Sequence, residues 1–309
     1  MKGNILMNKK LHILLTAIVL LPILLLAGCG TSASLESRGL PDNDWPKKRV
    51  MVMPATNLTG IPLDELIDTV SEELTKILGK TGFFNIDHHN KTKKFLLFKP
   101  GEPVDPELMR EAREMGMNAI IFETVNPIET NSVKSGIWSS RGKVQRFTVS
   151  INIDIVDVNR GIMLLSKEIA DNTTVSDEEA EKEKEKSPDV ETKKRAFKEC
   201  LPDILEKAAM AVSLSLNREV WTGRIESTDK TRIIINAGRD AGLRSGIVFE
   251  IFAKGEYITS FKGQTYQSLG PKVGEIKTVG IKPRHSTAEP ITGTDFKAGQ
   301  IVRVKDQYR

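Results

Sequence analysis

The sequence contains, at residues 147–155, the stretch FTVSINIDI, in which apolar and polar side chains alternate without a break. Successive side chains of a β-strand point to opposite faces of a sheet, so this stretch predicts a strand with its apolar side chains in a core and its polar side chains in solvent. Gly161 follows at the position of a turn, and residues 163–169 (MLLSKEI) predict the partner strand.

Strand and helix patterns precede this hairpin. Residues 50–53 (VMVM) predict a buried strand, and residues 63–78 carry apolar side chains at helical spacing between Pro62 and Gly79. Short strands are predicted at residues 83–86, 95–98 and 119–122. Asp105 and Pro106 have the character of an N-cap and a first helical residue, which predicts a helix through Met115.

A final helix is predicted after the hairpin. Phe197, Leu201, Ile204 and Ala208 form its apolar stripe, on which Cys200 also falls, and Pro202 is expected to kink or interrupt it. Residues 177–199, between the hairpin and this helix, hold 16 charged side chains of both signs, typical of a solvated loop or an exposed helix entry. The element order predicts an α/β sandwich over residues 47–218.

Residues 219–309 have a different composition, with frequent glycine and no helical periodicity. Strands are predicted at residues 232–236, 248–251, 273–279 and 301–304. Gly246 and Gly299 each stand between an apolar residue and a strand, where we expect positive φ angles and therefore strain for any other residue. Short strands separated by turns predict a small β-barrel.

The N-terminus predicts export and lipidation. Residues 1–12 carry three lysines and no acid, and the apolar run of residues 13–27 is shorter than a typical membrane span. The end of this leader, Leu26-Ala27-Gly28-Cys29, resembles the bacterial lipoprotein box. That resemblance implies cleavage after residue 28, lipidation of Cys29 and anchoring through its acyl chains. An uncleaved anchor helix is the alternative.

Two further features describe the mature N-terminus. The residue after Cys29 is Gly30 rather than aspartate. By resemblance to the sorting rules of Gram-negative lipoproteins, this implies the outer membrane, with the folded part facing the periplasm. Residues 29–46 are polar, rich in small residues and without periodicity, which predicts a flexible tether.

Two longer resemblances extend this interpretation. KRVMVMPATNLTG, LGKTGFFNID and AREMGMNAIIFETV, in residues 48–125, resemble the curli-secretion lipoprotein (CsgG) family and the N-terminal domain of TolB. INAGRDAGLRSGIVFEIF, VGEIKTVGI and FKAGQIVRVK, in residues 235–305, resemble the C-terminal domain of flagellar assembly protein T (FlgT). The first resemblance implies an α/β domain used for docking. The second implies an SH3-like barrel, here with a lipid anchor in place of that protein's extra N-terminal domain.

Charge excludes the strong basic excess of a nucleic-acid-binding protein. Without Lys2, Lys9 and Lys10 of the leader, 42 of the 45 basic residues remain against 41 acidic ones. Residues 29–218 carry 27 basic and 31 acidic residues, whereas residues 219–309 carry 15 and 10. A positive barrel suits an acidic partner or the cell wall, and solubility alone is the alternative explanation.

A search for catalytic chemistry finds none. Asp87, His88 and His89 are adjacent, but neighbouring residues of a strand face opposite ways, and His285 is the remaining histidine of the mature chain. Cys200 is expected to be a buried small apolar residue. The sequence has no nucleophile elbow, P-loop or dinucleotide fingerprint. We therefore predict no catalytic residue, cofactor or metal.

Four function classes were weighed on this basis. The resemblances favour a non-enzymatic assembly or scaffold lipoprotein with envelope protein partners, and a homo-oligomer is compatible with that role. A regulatory lipoprotein that activates a peptidoglycan synthase is the second candidate. A secretion pore needs lipid-facing strands of about 9–11 residues, and residues 131–143 carry too few large apolar side chains for one. An enzyme is excluded by the missing chemistry.

Overall fold

The computed structural model describes residues 46–63, 65–88, 102–135, 142–175, 190–229, 231–260 and 265–305. Several sequence predictions lie outside these ranges: the leader, Cys29 and most of the tether, the strand at residues 95–98, His89, and residues 177–189 of the charged insertion. Residues 41–309 form one compact unit. No helix of the described residues is long and apolar enough to cross a membrane.

The first domain is a mixed α/β fold. Its elements in chain order are β1 (Lys48–Val52), β2 (Thr56–Asn57), α1 (Glu65–Lys80), β3 (Phe84–His88), α2 (Pro106–Glu114), β4 (Ala119–Val125), β5 (Glu129–Ser135), β6 (Gly142–Asp157), β7 (Met163–Val175) and α3 (Val190–Arg218). The predicted N-cap of α2 is confirmed, because the Asp105 side chain accepts a hydrogen bond from the Glu107 amide at 2.7 Å.

These strands form one seven-stranded sheet built around β6. The parallel strands β3, β1 and β4 lead to β6, which runs antiparallel to β4. β7 pairs with β6 along most of its length. β4 and β5 therefore share the opposite edge of β6, and β5 pairs with its N-terminal half. The alternating stretch that predicted a strand is thus the centre of the sheet.

Helices cover both faces of the sheet. α1 and α3 pack on the face that carries Phe147, Ile151 and Ile155, and α2 packs on the other face through a smaller apolar cluster. The prediction that the polar face of β6 is solvated is therefore wrong at Ser150 and Asp154, which are buried. Asp154 pairs in register with Phe122, a member of that smaller cluster, and burial raises the pKa of the Asp154 carboxyl.

The long helix α3 contains an interior proline and carries a buried apolar stripe. The helix continues through Pro202, so the predicted interruption is wrong, and the alternative, a kink at Pro202, stays a prediction. Long helices tolerate an interior proline when packing elsewhere holds them, and α3 buries a stripe that includes Phe197, Ile204 and Val212. Cys200 lies on this stripe and is buried, as expected.

The second domain is a closed barrel of six strands. They are β8 (Thr222–Thr228), β9 (Ile233–Ile235), β10 (Val248–Thr259), β11 (Thr265–Ile281), β12 (Ser286–Thr292) and β13 (Ile301–Val304), paired in the order β10-β11-β12-β9-β8-β13. Trp221 and Phe249 meet in its core, with ring centroids 5.7 Å apart. Gly246 and Gly299 have φ angles of 93° and 84°, which confirms the predicted positive values.

The barrel differs from its prediction in two ways. β8 and β12 were not predicted, because TGRIEST and STAEPIT lack an apolar run. β10 and β11 are far longer than predicted, and their distal parts pair only with each other. We call residues 254–259 and 265–269 the hairpin arm, since they extend the hairpin beyond the barrel.

Glu123 is an ionisable residue in the core of the first domain. It lies on β4 between Ile121 and Val125, is 1% exposed, and neither carboxyl oxygen has a hydrogen-bond partner in the described residues. Burial raises the pKa of Glu123 to about 8. Folding therefore holds a proton on this carboxyl at neutral pH.

Glu123 is expected to make stability depend on pH. Between about pH 4.5 and 8 the folded protein keeps a proton that the unfolded chain releases, so the free energy of unfolding should fall as pH rises, by up to about 4 kcal/mol. Glu123→Gln, neutral at every pH, should reduce this slope to the part that Asp154 contributes, and should stabilise the protein at pH 8. Urea unfolding at pH 5 and pH 8 measures it. Glu73→Gln, at an exposed site, is the control, and equal slopes in wild type and Glu123→Gln would contradict the assignment.

Candidate functional site

Arg49 joins the two domains. It belongs to β1, and its backbone amide donates to Asn118 Oδ1 at 2.8 Å. Its guanidinium, only 9% exposed, forms an ion pair with Asp240 of the barrel and also donates to the Asn236 carbonyl at 3.3 Å. A charge this deeply buried needs a charged or strongly hydrogen-bonding partner. The pair therefore fixes β1 against the short 3-10 helix Arg239–Ala241.

Further hydrogen bonds continue this seam, by which we mean the contact between the two domains. The Asn85 side chain donates to the Asp240 carbonyl at 2.7 Å, and the Asn118 side chain donates to the Thr222 carbonyl. The Lys47 amide donates to Ala241 at 2.8 Å, and the Trp221 indole donates to the Lys47 carbonyl at 3.2 Å. Most of these bonds involve backbone groups, which cannot move by rotating a side chain, so they define a single orientation of the barrel relative to the first domain.

The hairpin arm forms a second part of the seam. The backbone amide of Gln267 donates to the Arg160 carbonyl at 2.9 Å, at the turn between β6 and β7. Gly161 in this turn has a φ of 74°, and a Cβ there would lie 2.9 Å from the Thr265 carbonyl oxygen. Arg160 also pairs with Asp157 and with Glu219, the residue after α3. The arm thus rests on the first domain.

Between these contacts the seam opens into a cleft of about 420 Å³. The first domain contributes Arg49 and residues 113–115, and the barrel contributes Arg224 to Glu226, Asn236, Arg284 and His285. Four arginines and one histidine therefore surround one opening. Two acids, Glu114 and Glu226, share the lining.

The charges in this cleft do not balance. Arg49 pairs with Asp240, Glu114 pairs with Arg110 at 2.7 Å, and Glu226 contacts His285 Nδ1 at 2.6 Å. Burial, together with the adjacent charge of Arg113, lowers the pKa of Arg224 to about 10. A guanidinium stays protonated near neutral pH, so Arg224 keeps its positive charge in this desolvated position, where Asp157 offsets only part of the shift.

The structure places the residues singled out from the sequence apart from one another. Asp87 lies on β3, only the backbone of His88 is described there, and His285 lies in the barrel. Within the described residues, no three metal-binding side chains converge. Burial and the neighbouring acid Asp171 raise the pKa of the Cys200 thiol to about 11, which opposes thiolate formation.

Sequence reasoning missed the cleft arginines. Arg49, Arg113, Arg224 and Arg284 come from four separate segments, and no spacing in the sequence connects them. The sequence offered one local signal for two of them. Arg49 directly precedes the apolar run of residues 50–53, and Arg224 directly precedes Ile225 of the barrel core. A charged residue at such a boundary indicates a buried partner, without identifying it.

The comparisons with known proteins concern the fold. No protein-family model matches the chain, and no curated protein matches it in sequence. Among solved structures it is similar to the hypothetical protein CT253 from Chlamydia trachomatis, at 14% identity and a TM-score of 0.36, over 53% of this chain and 96% of that one.

Two lipoproteins are also similar in structure. Lipoprotein GNA1162 from Neisseria meningitidis has 13% identity and a TM-score of 0.26, over 56% of this chain and 99% of that one. A minor lipoprotein from Acinetobacter baumannii has 11% identity and a TM-score of 0.26, over 55% and 94%. Likeness at this level concerns fold alone and assigns no activity.

The seam predicts that Asp240 contributes more to stability than a surface ion pair. Asp240→Asn leaves the buried Arg49 charge with neutral partners, and because Asp240 is 32% exposed we expect a loss of about 1–3 kcal/mol in the free energy of unfolding. Glu73→Gln breaks the exposed pair with Lys76 and should cost under about 0.5 kcal/mol. Urea unfolding at pH 7 measures both, and equal losses would argue against a structural role for the seam pair.

Proposed function

We propose that this chain is a non-enzymatic scaffold lipoprotein of the bacterial envelope, anchored to the outer membrane through Cys29 and facing the periplasm. The observation that carries the proposal is the seam. Buried polar contacts hold the α/β domain and the barrel in one orientation, as a docking platform requires and as two independent domains on a linker would not provide.

The N-terminal sequence supports the anchor. A basic segment, a 15-residue apolar run and the sequence Leu-Ala-Gly-Cys occur in the order of a lipoprotein leader. The following 17 residues are rich in Ser, Gly, Pro and Asp, and they are long enough for a tether between the bilayer and β1. Gly30 after the lipidated cysteine favours the outer membrane in this proposal.

The hairpin arm supports the docking role. Tyr257, Ile258 and Leu269 expose 66%, 44% and 41% of their surfaces, although Arg160 and Gly161 contact the arm at Gln267 and Thr265 and so hold it in place. Exposed apolar side chains on a fixed support are suited to burial against a partner protein. We therefore place the main partner contact on the barrel side, with the first domain as its support.

Replacement of Cys29 tests the anchor. Cys29→Ser removes the acyl-accepting sulfur, so the protein should lose labelling by a palmitate analogue and leave the membrane fraction. Cys200→Ala is the matched control, because this buried thiol is not a lipidation site and its loss should leave labelling unchanged. A Cys29→Ser protein that is cleaved normally and still resists carbonate extraction would contradict anchoring through Cys29.

Photo-crosslinking in cells tests the docking surface. A benzophenone amino acid at Tyr257 should capture one major envelope protein, since this side chain is the most exposed apolar group of the arm. The same probe at Leu58, which is 50% exposed on the first domain, should capture little or none.

The captured protein also separates the candidate roles. An assembly component supports a scaffold, a peptidoglycan synthase supports the regulatory alternative, and a second copy of this chain supports an oligomeric platform. Capture from Leu58 together with none from Tyr257 would move the docking surface to the first domain.

A further inference from the structure

The cleft at the seam has the composition of an anion-binding site. We propose that it binds an oxyanion, the phosphate or carboxylate group of a small organic ligand, between Arg113, Arg224 and Arg284. None of the residues that line the cleft belongs to the membrane anchor or to the hairpin arm.

The first argument is the pairing of charges. Each acid that lines the cleft already has a cationic or imidazole partner: Glu114 has Arg110, and Glu226 has His285. Asp240, which does not line the cleft, forms an ion pair with Arg49. Within the described ranges, no carboxylate lies within ion-pairing distance of the three remaining arginines.

The second argument is the placement of the donors. Arg113 donates from Nε to the Val158 carbonyl at 2.9 Å. No described residue accepts a hydrogen bond from its two terminal amino groups.

The Arg224 guanidinium is fixed by Asn159, which accepts from Nε through Oδ1 at 2.7 Å and from Nη2 through its backbone carbonyl at 3.3 Å. Nη1 donates to the Gly299 carbonyl at 3.4 Å, so each terminal amino group keeps one further N–H for a ligand. Asn159 is itself held by a 2.8 Å bond from its Nδ2 to Thr222 Oγ1. Held guanidinium groups lose little entropy when they bind an oxyanion.

Arg284 completes the set at the rim. Its side chain is exposed, lines the cleft, and forms no hydrogen bond or ion pair in the described part of the chain. Its backbone carbonyl, however, accepts from Arg49 Nη2 at 3.4 Å, which ties this loop to the seam. Arg284 can therefore approach a ligand without breaking an existing contact.

The third argument is size. A volume of about 420 Å³ lies within the roughly 300–1,000 Å³ of small-molecule sites, and a bare phosphate would fill only part of it. Met115 and Ile225 supply apolar lining beside the arginines. These features favour an organic ligand with an anionic end. Such an end occurs both on soluble metabolites and on phospholipid headgroups.

Calorimetric titration tests the site on residues 29–309 carrying Cys29→Ser, which lack both the apolar leader and the acyl chains and therefore need no detergent. The probes are glycerol 3-phosphate and dihexanoyl phosphatidylglycerol, each compared with sodium chloride at equal ionic strength. We expect saturable binding of at least one probe and none of chloride. Tighter binding of glycerol 3-phosphate indicates a soluble ligand, and tighter binding of the short-chain lipid indicates a headgroup; both support the oxyanion site.

Charge-matched variants localise the binding. Arg284→Gln and Arg224→Gln should each weaken affinity about tenfold, as expected for one charge-assisted hydrogen-bonding group. Arg232→Gln, on the exposed surface of the barrel away from the cleft, should change affinity less than about twofold. Arg284→Gln keeps the test valid if Arg224→Gln fails to fold. Absence of saturable binding, or equal loss in Arg232→Gln and Arg284→Gln, overturns the proposal.

Discussion

The ion pair between Arg49 and Asp240 is the constraint on which the arrangement of the two domains depends. Arg49 emerges from β1, a strand in the middle of the sheet, and its backbone amide is held by Asn118. A guanidinium in this position cannot be left without a partner, because the desolvation of an unpaired charge costs several kcal/mol. The barrel must therefore present Asp240 at one place and in one orientation.

The hydrogen bonds around this pair extend the constraint to the whole interface. Asn85, Asn118 and Trp221 each bond to a backbone carbonyl across the seam, and a backbone carbonyl cannot adjust its position by rotating a side chain. Polar contacts with fixed partners are less tolerant of sliding than apolar contacts, which are non-directional. The cleft and the support of the hairpin arm both follow, since each is built from residues of both domains.

The first domain also contains polar groups whose burial opposes folding. Glu123 is enclosed between the sheet and α1, and Asp154 is covered on the opposite face. Both carboxyls have raised pKa values because burial disfavours the charged form. The large apolar cluster under α1 and α3, which includes Leu74, Phe147 and Ile204, offsets this cost. At neutral pH, the free energy gained by burying this apolar cluster therefore exceeds the cost of burying the two carboxyls.

The sequence by itself determined the local elements, because their signals are local. Alternation predicted β6, the turn at Gly161 predicted β7, helical spacing predicted α1 and α3, and Asp105 predicted the start of α2. The positive φ angles of Gly246 and Gly299 were also foreseeable from their turns. The predictions of a leader and of lipidation at Cys29 likewise rest on consecutive residues. Each of these signals lies within about one helix or strand, where chain geometry fixes which side chains are neighbours.

Only the tertiary structure decided which distant residues meet. β8 and β12 lack an apolar pattern and exist because barrel closure supplies their hydrogen-bonding partners. Ser150 and Asp154 on the polar face of β6 are buried, and Val156 of the same face packs in the cluster that includes α2, which alternation alone does not foresee. Arg49 and Asp240 lie 191 residues apart, and the cleft arginines come from four segments. Contacts between such positions depend on how the domains dock, and no local periodicity records that.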